Sequence, residues 1–298
     1  MTTTTELHAA PPMLDTTFLI RAKPDRIWEA LVNPAQLQMW FAERVDVEPR
    51  VGGAFRFWGK YTPTFGVAGE PDQRFEAFEP GRRMVFTWTW AGALTRCELS
   101  LQPKGELETK LHIRHQVLGR MVPFDSTECG WFAKDFWELS AGNLDNYLRK
   151  GKAAVRPDHT IKGRDVELSI EIDAPAAKVW EAITVPEKIA KWLGENPEFP
   201  SQVSVDLRVG GAYSFGWKKD GESIGPAAVL ELEPGKRLLY TWHYPGDTTG
   251  KTEWKVEPLD RNRSLLTVRQ IGVSTDRERS GYSNGWASFM VAIGRTTE

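Results

Sequence analysis

The sequence is poor in the residues that carry most covalent and metal chemistry. Among 298 residues there are two cysteines, Cys97 and Cys129, and neither recurs in the internal repeat described below, which excludes a duplicated disulfide or a cysteine-built metal site. The five histidines, at 8, 112, 115, 159 and 243, include no His-x-x-x-His pair and none lies in a cysteine cluster, so no metal is expected. There is no glycine-rich phosphate loop and no serine elbow, and no cofactor is expected. No run approaches the roughly 18 apolar residues needed to span a bilayer. The opening stretch to Met13 has neither a basic start nor an apolar segment, and a cytoplasmic protein is expected. With a net charge of −2 and no basic stripe, nucleic acid is a poor partner. The local exception is Arg149 to Arg164, where Arg149, Lys150, Lys152, Arg156, Lys162 and Arg164 face one acid, Asp158; it reads as a solvated linker.

What is present is a long repeat. Trp28-Glu29-Ala30, Pro34 and Trp40 recur as Trp180-Glu181-Ala182, Pro186 and Trp192 at the same interval. Val51-Gly52-Gly53-Ala54 with Phe57 returns as Val209-Gly210-Gly211-Ala212 with Phe215. Glu79-Pro80-Gly81 with Arg83, Thr87 and Trp88 returns as Glu233-Pro234-Gly235 with Arg237, Thr241 and Trp242. The period is that of a whole domain rather than a solenoid unit, so two tandem domains are expected, 13–150 and 163–298, joined by a linker at 151–162.

Each copy reads as a strand, two short helices, a meander of strands and a final helix. Thr17 to Arg21 and Glu167 to Ile172 alternate as strands; Pro24 and Pro175 sit where a first helix begins, and Pro34 and Pro186 break it. Phe55 and Phe57; Phe86, Trp88 and Trp90; Cys97, Leu99 and Leu101; and Leu111, Ile113 and His115 share one face of the sheet. The second copy places Tyr213 and Phe215; Tyr240, Trp242 and Tyr244; Trp254 and Val256; and Leu266, Val268 and Gln270 on the matching face. A sheet with one apolar side needs a cover, and the stripes Trp137, Ala141, Leu144, Leu148 and Trp286, Met290, Ile293 supply a helix for each. The expected class is α+β, a curved antiparallel sheet with a long C-terminal helix over its concave face, twice.

This order of elements, with Pro24-Asp25-Arg26-Ile27-Trp28-Glu29-Ala30, Pro34 and Trp40, Gly52-Gly53, Glu79-Pro80-Gly81, Leu111-x-Ile113-x-His115 and the Trp-bearing last helix, resembles tandem domains of the activator of heat shock protein 90 ATPase homologue family. That family lies in the START/SRPBCC helix-grip superfamily. The resemblance implies a cavity between sheet and final helix in which apolar ligands sit. Candidate ligand-binding residues are Phe57, Trp58, Trp88, Trp90, His115 and Trp137 in the first copy, and Phe215, Trp242, Tyr244, Gln270 and Trp286 in the second.

Trp28, Trp40, Trp180 and Trp192 read as core packing, whereas Trp88, Trp137, Trp242 and Trp286 fit either core or pocket lining. Trp58, Trp90 and His115 differ from their counterparts Gly216, Tyr244 and Gln270, and such differences point to ligand choice. His115 is either a satisfied core histidine or a polar anchor for a ligand head group. Two loops, Gly119 to Gly130 and Gly272 to Gly285, are expected near the cavity mouth; the first offers an apolar tip at Met121 to Phe124, the second a solvated turn at Asp276-Arg277-Glu278-Arg279.

The expected function is binding of a hydrophobic or aromatic small molecule, as carrier, sensor or sequestering protein. The alternatives are a co-chaperone that stimulates a heat shock protein 90 type ATPase, and a cofactor-free cyclase or hydrolase working through pocket groups such as His115, or His243 with Glu253. The Asn-x-Asn-x-Trp-His-Trp stretch found in the eukaryotic activator's N-terminal domain does not occur here.

Overall fold

The computed structural model describes residues 13–63, 73–90, 93–118, 126–163, 165–194, 202–219, 221–244 and 247–298, without the side chains of 126–129 and 247. The expected tip at Met121 to Phe124, and Arg164, lie outside the described residues. The chain divides into two compact units, Met1–Lys152 and Ala153–Glu298.

The first unit runs β1 (Leu14–Ile20), α1 (Pro24–Val32), α2 (Pro34–Trp40), β2 (Arg44–Val47), β3 (Phe55–Trp58), β4 (Phe75–Glu79), β5 (Arg83–Trp90), β6 (Ala93–Pro103), β7 (Thr109–Val117) and α3 (Ser126–Lys150). The second runs β8 (Val166–Ile172), α4 (Ala176–Thr184), α5 (Pro186–Leu193), β9 (Ser204–Val205), β10 (Tyr213–Ser214), β11 (Lys218–Lys219), β12 (Glu222–Ser223), β13 (Gly225–Glu233), β14 (Arg237–Tyr244), β15 (Asp247–Pro258), β16 (Ser264–Ile271) and α6 (Asp276–Thr297). Each holds a five-stranded antiparallel sheet of the same topology, β1-β7-β6-β5-β4 and β13-β14-β15-β16-β8, in which the opening strand lies beside the last. This is the helix-grip α+β fold, twice.

The repeated motifs now have physical reasons. Helical geometry would pair the Ala30 carbonyl with the N–H of residue 34, but Pro34 has none; the Trp40 indole N–H donates to it instead, at 3.1 Å. Trp192 does the same for Ala182, four residues before Pro186, at 2.8 Å. The tryptophan both fills core and closes the hydrogen-bond gap that the helix break opens. In the paired glycines the first adopts a left-handed φ, +76° at Gly52 and +81° at Gly210. The second has no room for a side chain: a Cβ would lie 2.2 Å from the Glu48 carbonyl at Gly53 and 2.1 Å from the Asp206 carbonyl at Gly211. The Arg of Glu-Pro-Gly-x-Arg pairs across the outer sheet face, Arg83 with Glu98 at 2.6 Å and Arg237 with Glu253 at 2.5 Å.

Two expectations are corrected. Asp276 to Arg279 is the first turn of α6, not a loop: Thr275 accepts from the Glu278 N–H and Glu278 accepts from the Thr275 N–H, a capping box. The stretch expected as a solvated linker is partly tied down. Arg279 donates to the carbonyls of Ile161, at 2.8 Å, and Asp165, and Ser280 bonds His159 at 3.0 Å.

Candidate functional site

In the first unit the inner sheet face meets α3 through aromatic rings. Trp88 and Trp90 on β5, His115 on β7 and Trp137 on α3 are all buried. Trp88 stacks on His115 at 5.7 Å between centroids, while Trp90 and Trp137 approach the imidazole edge-on. Phe136, one residue before Trp137, enters this group and touches Phe41, Trp88, Trp90 and Trp137 at 5.0–5.9 Å between centroids. Phe57 completes the wall against Phe41 and Trp88.

His115 is fully buried and both of its nitrogens are used. The Trp137 indole N–H, which can only donate, points at Nδ1 at 3.3 Å, so Nδ1 is the acceptor and Nε2 carries the proton. Nε2 in turn donates to Thr95 Oγ1 at 2.9 Å, whose own proton goes to the Trp88 carbonyl. Burial drives the imidazole pKa down to about 3, and the indole N–H facing Nδ1 leaves no seat for a second proton. The ring is a neutral wall element and offers no nitrogen to a ligand head group.

The second unit repeats the construction with a different residue at its centre. Trp286 on α6 donates to Gln270 Oε1 at 3.2 Å, and Thr252 donates to the same oxygen at 2.7 Å. Trp286 thus stands for Trp137 and Gln270 for His115, but Thr252 lies opposite Gln270 as Cys97 lies opposite His115, and Gly250 takes the place of Thr95. The rings form a closed circuit in which each touches the next: Phe215 and Trp217 at 5.0 Å, Trp217 and Phe289 at 6.2 Å, Phe289 and Trp286 at 5.8 Å, Trp286 and Trp242 at 5.0 Å, Trp242 and Phe215 at 6.3 Å. Trp217 and Phe289 are half-buried, as is Tyr282, which meets Trp242.

Two expected residues are not brought into these walls. Trp58 is 44% exposed because Phe55 and Phe57 take the inner face of β3, and the residue next to Phe57 must point out. Tyr244 is 39% exposed. The pairing of β14 with β15 slips by one between Trp242 and Tyr244, and this bulge releases Tyr244 from the inner face that Trp90 keeps in the first unit. There Tyr244 accepts from Lys219 at 3.1 Å. His243 and Glu253 are not partners either, since Glu253 lies opposite Leu239 and is held by Arg237. Phe41, Phe136, Trp217, Tyr282 and Phe289 were not anticipated; Trp217 was available from the alternation Tyr213, Phe215, Trp217. Among the described residues no group of three or more His, Cys, Asp or Glu side chains could hold a metal ion. No helix of the described residues is long and apolar enough to cross a membrane.

Comparison with known proteins bears on the fold. A family model described as activator of Hsp90 ATPase homolog 1-like protein matches residues 21–149 and 173–298, nearly the whole of both units. No curated protein matches the chain. Among solved structures, DynU16, a protein of the dynemicin biosynthetic locus, is 20% identical over 96% of this chain and 97% of its own, with a TM-score of 0.41. CalU16 from Micromonospora echinospora is 23% identical over 45% of this chain and 76% of its own, with a TM-score of 0.36. PFC0360w, an HSP90 activator from Plasmodium falciparum, is 17% identical over 38% of this chain and 75% of its own, with a TM-score of 0.31.

Proposed function

We propose, for a chain that belongs to the activator of Hsp90 ATPase homolog 1-like family in both of its halves, that it binds a hydrophobic or aromatic small molecule between a sheet and its last helix. The observation that carries this reading is the chemistry of the seam. Where β14 and α6 face each other the lining is Trp242, Trp286, Phe215, Trp217 and Phe289, and two of these rings remain half-buried. A wall of rings with so few polar groups suits an apolar guest, and aromatic surface left partly wet favours taking one. The chain has thirteen tryptophans, so occupancy changes their emission.

Native mass spectrometry of freshly purified full-length protein tests this reading. A retained small molecule, lost on denaturation, is the expected result. A bare mass, together with unchanged tryptophan emission across a panel of planar aromatic compounds and lipids, overturns it.

The family's description favours a second reading, stimulation of an Hsp90-type ATPase by a protein surface. Measuring ATP hydrolysis by a cognate chaperone across stoichiometries separates the two; a rise that saturates supports the co-chaperone.

A further inference from the structure

The five rings along the second unit's seam touch one another in a closed circuit, so a guest enters that circuit only if one ring moves. Four of them stand on firm ground. Trp242 lies inside the eight-residue strand β14, Trp286 and Phe289 lie on the 22-residue helix α6, and Phe215 is fully buried with its carbonyl bonded to the Gln202 N–H at 3.0 Å. Trp217 is different. It is half-buried and stands at the foot of the hairpin of β11 and β12, a two-stranded sheet apart from the five-stranded one. In the first copy the residue two places after Phe57 is Gly59, so the scaffold does not require a ring here.

The hairpin can move as a body. Its hydrogen bonds close on themselves: the Ile224 N–H donates to the Trp217 carbonyl at 3.1 Å, Lys218 pairs with Ser223, and Lys219 pairs with Glu222. A glycine in the left-handed region stands at each foot, Gly216 at φ +80° and Gly225 at φ +86°. Such residues pass between backbone conformations that a side chain forbids, which suits them to the hinges of closing elements. The Trp217 ring lies along Gly225, where an added Cβ would stand 3.4 Å from its Cε3. At the far end Lys219 Nζ donates to the Tyr244 hydroxyl at 3.1 Å and lies over the same ring, 5.2 Å from its centroid. Tyr244 meets Lys219 because the bulge in β14 turns it outward.

We propose that β11 and β12 form the lid of this seam. The lid swings on Gly216 and Gly225, carries Trp217 out of the ring circuit to admit a guest and back to cover it, and is held shut by Lys219 on Tyr244. This rests on the ligand-binding reading above. The latch joins two groups at the surface, so it is weak enough to open readily. It is made outside the ring circuit, so guest and latch do not compete. Lys219 and Tyr244 therefore set how often the seam opens rather than how tightly it holds.

The test follows N-phenyl-1-naphthylamine, a neutral aromatic probe that fluoresces in apolar surroundings, by stopped flow with the full chain. Tyr244→Phe takes away the phenol oxygen and leaves the ring, and Lys219→Met takes away the ammonium and leaves an apolar stem. Each is expected to raise the association and dissociation rates together, about fivefold, with Kd held within about twofold, because the latch is made in the empty and the filled protein alike. Rates that do not move overturn the inference. So does a change in Kd carried by dissociation alone, which would put Lys219 and Tyr244 on the ligand rather than on a lid, and so does an affinity indifferent to Trp217→Ala. Absence of any binding, by this probe and by the panel above, removes the ligand-binding reading with it.

Discussion

The Trp137 indole N–H and the His115 Nδ1 face each other at 3.3 Å, and the proton between them has only one owner. That single bond fixes the tautomer of a histidine buried among three tryptophans, and it has a consequence for stability.

With a folded-state pKa near 3 against an ordinary value of 6.5, His115 contributes stability that is present above pH 6.5 and is lost as pH falls toward 3. By pH 5 the loss is about 2 kcal/mol. Asp135 acts in the opposite sense: burial pushes its carboxyl up to about 7, so its contribution is present below the usual aspartate value and is lost as pH rises through 7. The two overlap, and a variant separates them. His115→Gln keeps a polar side chain at this place and carries no titrating group, so its melting temperature falls less between pH 7 and pH 5 than that of the parent protein. Equal slopes in thermal scans would remove His115 from the account.

Trp40→Phe keeps most of the ring but deletes the donor that serves the Ala30 carbonyl, which Pro34 cannot serve. The expected destabilisation is about 1–3 kcal/mol in denaturant unfolding. Trp192→Phe should behave alike for Ala182. A change below about 0.5 kcal/mol, the range of ordinary surface substitutions, would mean that water or backbone adjustment fills the gap.

Arg279 pins the chain near Ile161 and Asp165 to the start of α6. Arg279→Met should leave the global melting transition nearly in place and speed tryptic cleavage at Arg156 and Lys162. Unchanged cleavage kinetics would show that the segment is held by other contacts.

Trp58→Ala and Trp217→Ala form a matched pair. The first removes an exposed ring and should leave stability within about 0.5 kcal/mol and ligand affinity unchanged. The second breaks the aromatic circuit between Phe215 and Phe289 and should weaken planar ligands about tenfold. Calorimetric titration of both variants checks this, and a reversed order of effects contradicts the circuit.

Much of the fold was legible because the repeat exposes what the architecture requires. A proline that breaks a helix and a tryptophan that closes it recur together, since one creates the gap the other fills. Paired glycines recur because one needs a left-handed φ and the other has a carbonyl where a Cβ would be. The site was less legible. Aligning Trp58 with Gly216 obscured that strand alternation sends Trp58 out and Trp217 in. Tyr244 followed Trp90 in sequence, but a register slip depends on how the hairpin pairs rather than on residue type. The charged run from Asp276 masked a Thr-x-x-Glu helix start. Phe136 was not legible because it precedes Trp137 by one residue and falls off the helical stripe that Trp137 begins.

A crystal structure of the full chain with a planar aromatic compound that quenches its tryptophan emission tests the central claim most directly. The account predicts the compound between a sheet and its last helix, against the rings of Trp242, Trp286, Trp217 and Phe289. Density confined to the outer surface of both units would contradict it.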